Sequence, residues 1–447
     1  FCYALFKDSY KEIKKMQTML MAGWLALTLF LIYKVTEDKG KIFVILILYY
    51  LITVVNDIFF MSTIELANAF GFSYQLSDML AIVMLCTVLI DLLKNPCLKN
   101  NVTNLFLLFI SALLVASMVN GLSRYGISAE WMGDLRTNSV FLFSIFYFAR
   151  FDVLLDAKKY RKLLDSVMTI ILAISCTLWA LDILIGFHPL LSQFNATLSD
   201  GGSTMRFIQP YEVLGIALYA LLLLEENLNT KGYLKFRTIL FSAAVILFQH
   251  RSIWMAWGCG FIVVLLVTMK NTRITRKLFL QVILLIASCF IVLNMGSGQL
   301  IENISKSFEI VEKMMNGVAI ENSTADTRTQ VWNAVLEDLS GTAWLFGRPY
   351  GYGYGRSIGW KTSPHSGFIR FIGRTGYIGA GLAICLLIYV AVKLMLKGRS
   401  GNTKFSPYLV CVIGFMYGYD YTWLCGVVIG LGCMFAYRDY DSFESEV

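Results

Sequence analysis

The chain has 447 residues, of which 57% are apolar or aromatic and only 15% charged, with a net charge of +8. Soluble domains carry about 25% charged residues, so a water-soluble fold of this size would leave far too much apolar surface in water, and lipid is the solvent that removes the conflict. Lys and Arg fall in short clusters between apolar runs, which excludes a nucleic-acid-binding face. The ten Cys lie mostly inside apolar stretches with no CxxC pair, and read as small apolar residues rather than disulfides or metal ligands.

In hydrocarbon every backbone polar group must be satisfied internally, so each run of about 17–25 apolar residues reads as a spanning helix. Such runs lie near 17–34, 42–60, 77–93, 103–120, 137–150, 166–187, 211–226, 236–250, 253–269, 277–295, 374–393, 406–420 and 422–437. The expected fold is all-α and polytopic, an integral membrane protein with about 11–13 transmembrane helices. Three regions follow: N-terminal transmembrane helices over 1–295, a large extracytoplasmic loop over 296–373, and C-terminal transmembrane helices over 374–447.

Basic clusters orient the spans. Lys34/Lys39/Lys41, Lys94/Lys99, Lys158–Lys162, Lys231/Lys235/Arg237, Lys270–Lys277 and Lys393–Lys404 alternate correctly and mark the cytoplasmic side. Lys7, Lys11, Lys14 and Lys15 break this order, which implies either an in-plane first helix or one span miscounted. The outer loop has helical spacing at Ile301, Ile304, Phe308, Val311 and Met315. A second helix is expected after the cap region at Ser323–Asp326, carrying Val331, Trp332, Val335, Leu336 and Leu339. The glycine-rich run from Gly347 to Gly355 forbids a regular helix and predicts a tightly folded loop.

Arginine is disfavoured on the outer side, so each outward arginine asks for a reason. Arg206 precedes a span, Arg251 sits in the tight turn His250-Arg251-Ser252, and Arg328 falls in the first turn of the expected loop helix. Guanidinium groups bind phosphate oxygens bidentately, and a helix N-terminus adds unpaired N–H groups. The alternative is snorkelling to lipid headgroups or a surface ion pair. His365, at the end of the outer loop, titrates near neutral pH and suits a general base. Asp57, Asp91, Asp182 and Glu225 all sit toward span ends and read as ordinary polar pairs.

The order of Arg206, the tight-turn Arg251, Arg328-x-x-x-Trp332, Leu345-Phe346-Gly347, the glycine run, His365-Ser366 and Gly376-x-x-Gly379 resembles the O-antigen ligase and O-antigen polymerase superfamily. The likeness covers mainly residues 200–385 and is most specific from Thr324 to Gly379. Ser366 stands where that family often has Asn, and Arg374 where it often has Glu, which suggests another phosphate contact.

The resemblance implies a multi-pass enzyme of the bacterial cytoplasmic membrane, with its site facing the periplasm. It would transfer a glycan from an undecaprenyl-diphosphate-linked oligosaccharide donor to an acceptor hydroxyl, without metal, cofactor or nucleotide sugar. Arg206, Arg251, Arg328 and Arg374 would hold the diphosphate and His365 would be the catalytic base. A polymerase would use a second lipid-linked repeat unit, and this chain's departures from the motif favour that reading. A ligase would use lipid A–core instead. Membrane lipid, a chain-length regulator and a flippase are the implied partners. A polysaccharide flippase or secondary transporter is the rival from a different class. It would favour paired repeats and broken helices at midplane, and no internal repeat is evident.

Overall fold

The computed structural model describes residues 2–60, 65–69, 72–95, 101–151, 154–187, 207–231, 233–248, 250–269, 281, 324–359, 363–396 and 405–437. Arg206, the expected span 277–295 and the helical spacing over 301–315 lie outside them. The described chain is a helical bundle. Its helices are α1 (Cys2–Glu37), α2 (Ile42–Phe59), α3 (Leu76–Lys94), α4 (Asn101–Tyr125), α5 (Ala129–Arg150), α6 (Leu154–Ile185), α7 (Pro210–Lys231), α8 (Phe236–Leu247) and α9 (Arg251–Met269). They continue as α10 (Thr324–Glu337), α11 (Thr342–Phe346), α12 (Gly367–Leu396), α13 (Ser406–Gly418) and α14 (Trp423–Tyr437).

Among the described residues, seven helices are long and apolar enough to cross a membrane, and three shorter apolar helices accompany them. With this, the chain is an all-α, multi-pass membrane protein. A short antiparallel hairpin, β1 (Glu65–Ala69) with β2 (Phe72–Gln75), interrupts the helices between α2 and α3. The α1 helix runs unbroken from Cys2 to Glu37, so the basic N-terminal residues and the first apolar run share one helix. The α12 helix begins at Gly367, seven residues before the expected start of the C-terminal helices, because Gly376 takes a positive φ of 64° and lets the chain kink and continue.

Close helix contacts are set by small residues, as expected where helices associate by packing rather than by hydrophobic exclusion. Along the α5–α14 interface, a Cβ on Gly426 would lie 2.4 Å from the Phe141 carbonyl oxygen, and one on Gly430 would lie 2.8 Å from that of Ile145. On the α9–α13 interface, Gly414 meets Ala256 and Gly418 meets Ser252. These two seams bring the N-terminal ends of α5, α9 and α14 and the C-terminal end of α13 together, and the chain between α10 and α12 closes over them.

The glycine-rich loop is stitched to α12 backbone against backbone. A Cβ on Gly347 would fall 2.4 Å from the Arg374 carbonyl carbon, and one on Gly376 would fall 2.2 Å from the Leu345 oxygen. The Arg348 amide donates to the Gly373 carbonyl at 2.7 Å, and the Tyr350 amide to that of Ser117 in α4 at 3.2 Å. The loop is thereby wedged between α4 and the start of α12.

Candidate functional site

The α10 helix explains the Arg-x-x-x-Trp spacing. Residues four apart share one helix face, so Arg328 and Trp332 point at the same surface. The Trp332 indole N–H donates to the Pro364 carbonyl at 2.8 Å and fixes the loop ahead of His365. An Arg328 guanidinium N–H donates to the Gly418 carbonyl at 3.2 Å, and the group lies 5.9 Å from the Tyr419 ring centre. Arg251, the first residue of α9, lies close enough to Arg328 for the two cations to repel each other. Burial opposes the charge on Arg328 and lowers its pKa, partly offset by Tyr419 and Asp420. Two cations therefore lie near one another, and Arg251 opens a helix whose N-terminal dipole is also positive. Such an arrangement favours an anion.

His365 closes the same surface. Its ring centre is 5.6 Å from that of Tyr419. Its φ of 52° makes it the one non-glycine residue with positive φ among the described residues. That conformation costs an L-residue about 1–2 kcal/mol, and such strain persists where the surroundings over-determine it, often at functional sites. The surroundings here are specific. The Ser363 hydroxyl accepts the His365 amide at 3.1 Å and donates to Asp420. Next to them the Gly367 amide donates to the Tyr419 carbonyl at 2.9 Å. Burial pushes the His365 imidazole below its usual range, Asp420 pulls it back up, and Arg328 and Arg370 push it down. The result is an imidazole that is neutral at pH 7, as a general base must be. Burial also pushes the Tyr419 phenol up to about 12, so it stays protonated.

Behind this surface lies a buried charge network that the sequence reading missed. Asp134 of α5, 2% exposed, receives Arg374 at 2.7 Å and Arg370 at 3.4 Å. It also accepts the Tyr354 hydroxyl at 2.8 Å and the Gly351 amide at 3.2 Å. Arg370 reaches on to Asp420 at 3.4 Å. Two arginines and two carboxylates balance, and a chain of contacts runs from the core through Arg370, Asp420 and Ser363 to His365. The available signal was Arg370 and Arg374, four residues apart in an apolar run, which demand a buried carboxylate partner.

Arg374 therefore departs from expectation. It was expected among the diphosphate ligands, but it is 1% exposed and its guanidinium is committed to Asp134, the Pro349 carbonyl at 3.1 Å and the Tyr354 ring face at 4.1 Å. The structure does not bring it to the Arg251–Arg328 pair. Near that pair, the His250 ring contacts the Ile208 carbonyl at 2.9 Å, and the Gln209 amide donates to Asp57 at 3.0 Å. These two contacts fix the backbone leading into α7; Arg206 itself lies outside the described residues.

Residues 236–384 match the family model described as O-antigen ligase. The segment holds Arg251, Arg328, His365 and Arg374, and the resemblance to the O-antigen polymerase and ligase superfamily holds over it, about a third of the chain. No curated protein and no solved structure matches the chain.

Proposed function

We propose that this chain, a membrane protein whose residues 236–384 match the O-antigen ligase family, is a polysaccharide polymerase. It transfers a glycan from undecaprenyl diphosphate to a hydroxyl of a second lipid-linked repeat unit, at the outer face of the bacterial cytoplasmic membrane. The observation that carries this reading is the meeting of Arg328, His365 and Asp420 around Tyr419, with Arg251 near Arg328, at one end of the bundle.

The reaction breaks the bond between the anomeric carbon and the diphosphate oxygen. Negative charge grows on the departing diphosphate, and Arg328 and Arg251 stabilise it from fixed positions; preorganised donors of this kind contribute most where water is excluded. Arg206, outside the described residues, is assigned the same role by the family resemblance alone. The acceptor hydroxyl attacks the anomeric carbon while His365 takes its proton. Asp420 and Ser363 position the imidazole. Displacement in one step inverts the anomeric centre. Arg374 is left out of the diphosphate site because Asp134 already neutralises it.

The distinguishing experiment is reconstitution of the purified chain in vesicles with lipid-diphosphate repeat unit as the sole glycan. Longer lipid-linked products identify a polymerase. Products formed only after lipid A–core is added identify a ligase. Movement of the lipid-linked unit between leaflets, with no new glycosidic bond, would identify a flippase and refute the transferase reading.

A further inference from the structure

A cavity of about 590 Å³ lies between α2, α6, α7, α13 and α14. Its outer end is formed by Tyr50, Gly215 and Trp423, and its other end by Glu225, Glu226, Asn229 and Tyr408. From Gly215 to Asn229 the cavity follows α7 for about 21 Å at 1.5 Å per residue. It is therefore a long, narrow slot rather than a round chamber. Its middle is walled by apolar side chains such as Leu218, Leu222 and Val427. An apolar cavity of this kind suits hydrocarbon rather than water, and a few polar groups at one end fix the orientation of what enters.

The polar end is open, since Glu226 and Asn229 are exposed. It carries both signs of charge. The Tyr408 hydroxyl donates to Glu225 at 2.6 Å. Arg161 pairs with Glu226 at 2.8 Å and with Asp165 at 3.0 Å, while Arg237 lies 3.7 Å from Asp165. Both guanidinium groups stack on Tyr219, a cavity-lining ring, at 5.6 and 5.5 Å from its centre. This end sits beside the Lys231/Lys235/Arg237 cluster, the side that basic residues mark as cytoplasmic.

We propose that the cavity binds one acyl chain of a zwitterionic, ethanolamine-bearing phospholipid from the cytoplasmic leaflet. The lipid phosphate meets Arg161 and Arg237, and the ammonium meets Glu225 and Glu226. An anionic glycerol headgroup would place uncompensated negative charge beside those carboxylates, and an isoprenyl diphosphate would place still more. The site is separate from the Arg328–His365 surface and does not depend on the reaction proposed there. Its polar mouth lies at the end of α7 and α14 away from Tyr419 and Asp420, while Trp423 closes the slot at the near end, so an occupying chain would brace α7 against α14 beneath the loop carrying Tyr419 and Asp420.

The test is to purify the full chain from membranes holding phosphatidylethanolamine, phosphatidylglycerol, cardiolipin and isoprenyl phosphates, and to identify retained lipid by native mass spectrometry. The expected result is one phosphatidylethanolamine per chain, reduced at least tenfold by Leu218→Trp or, at a second height in the slot, Leu222→Phe. Glu226→Gln should lose the preference for ethanolamine over glycerol. The wild-type headgroup preference is read without any variant, so a misfolded Leu218→Trp chain does not spare the proposal. Equal retention in wild type and both cavity-filling variants would overturn it, as would phosphatidylglycerol or an isoprenyl phosphate as the bound species.

Discussion

His365 combines two properties that work against stability: a left-handed backbone conformation and an imidazole in a half-buried site beside two arginines. Neither serves packing, which is why we read them as serving chemistry. Replacing His365 by Ala keeps the strained φ, whereas Gly adopts it freely. His365→Gly should therefore be more stable than His365→Ala by about 1 kcal/mol, with both inactive. Thermal unfolding of the two purified variants in one detergent checks this; equal stabilities would mean the left-handed conformation is not held in solution. The pH dependence follows from the neighbours. A base is needed in its neutral form, and burial holds the His365 pKa below 6.5, so transfer should persist to more acidic pH than an ordinary histidine allows. Asp420 raises that pKa, so Asp420→Asn should move the acid limb of the rate profile further down, alongside any loss of rate from mispositioning. A limb moving upward would contradict the assignment of Asp420 as the carboxylate facing the ring.

At the scale of elements, the loop–helix stitch and the buried ion pairs decide whether the site assembles at all. Gly376→Ala would place a methyl 2.2 Å from the Leu345 oxygen at a φ of 64°, so it should expel the glycine-rich loop from α12. Limited proteolysis between residues 341 and 359 should then become fast. Asp134→Ala removes the shared partner of Arg370 and Arg374, and breaking one side of a buried pair costs about 3–5 kcal/mol. That variant should unfold at markedly lower temperature, and Asp134→Asn should recover part of the loss through its hydrogen bonds to Tyr354 and Gly351. Much at this scale was legible in advance. Apolar run length located the helices, and the glycine run announced a loop because no helix tolerates it. The pairing of Gly347 with Gly376 was not legible, since it is a contact between backbones that leaves no periodic trace. Asp134 was not legible for a related reason: a carboxylate near the N-terminal end of a helix looks like surface until the arginines it neutralises are seen to face it.

Across the whole molecule, alternating spans return Asp57, Gln209, Arg251, Arg328, His365 and Asp420 to one end of the bundle, while the zwitterionic mouth of the cavity faces the other. Basic clusters between spans made this polarity readable from the sequence, because charge bias fixes which loops share a side. The approach of Arg251 to Arg328 was not readable, since it depends on α9 and α13 packing along Gly414 and Gly418. Arg374 illustrates the same limit: its burial against Asp134 was not readable from the sequence. The central claim is that Arg328 and His365 act on opposite sides of one bond, the first holding the departing diphosphate and the second taking the acceptor proton. Its most direct test is the single-turnover rate of glycan transfer in vesicles for wild type, Arg328→Gln, His365→Gln and the double variant, each first shown to be folded. Losing a fixed donor to developing negative charge should slow transfer about 100- to 1,000-fold, and losing the base about 100- to 10,000-fold, with free isoprenyl diphosphate falling in step with product. Wild-type rates in either folded single variant would contradict the account.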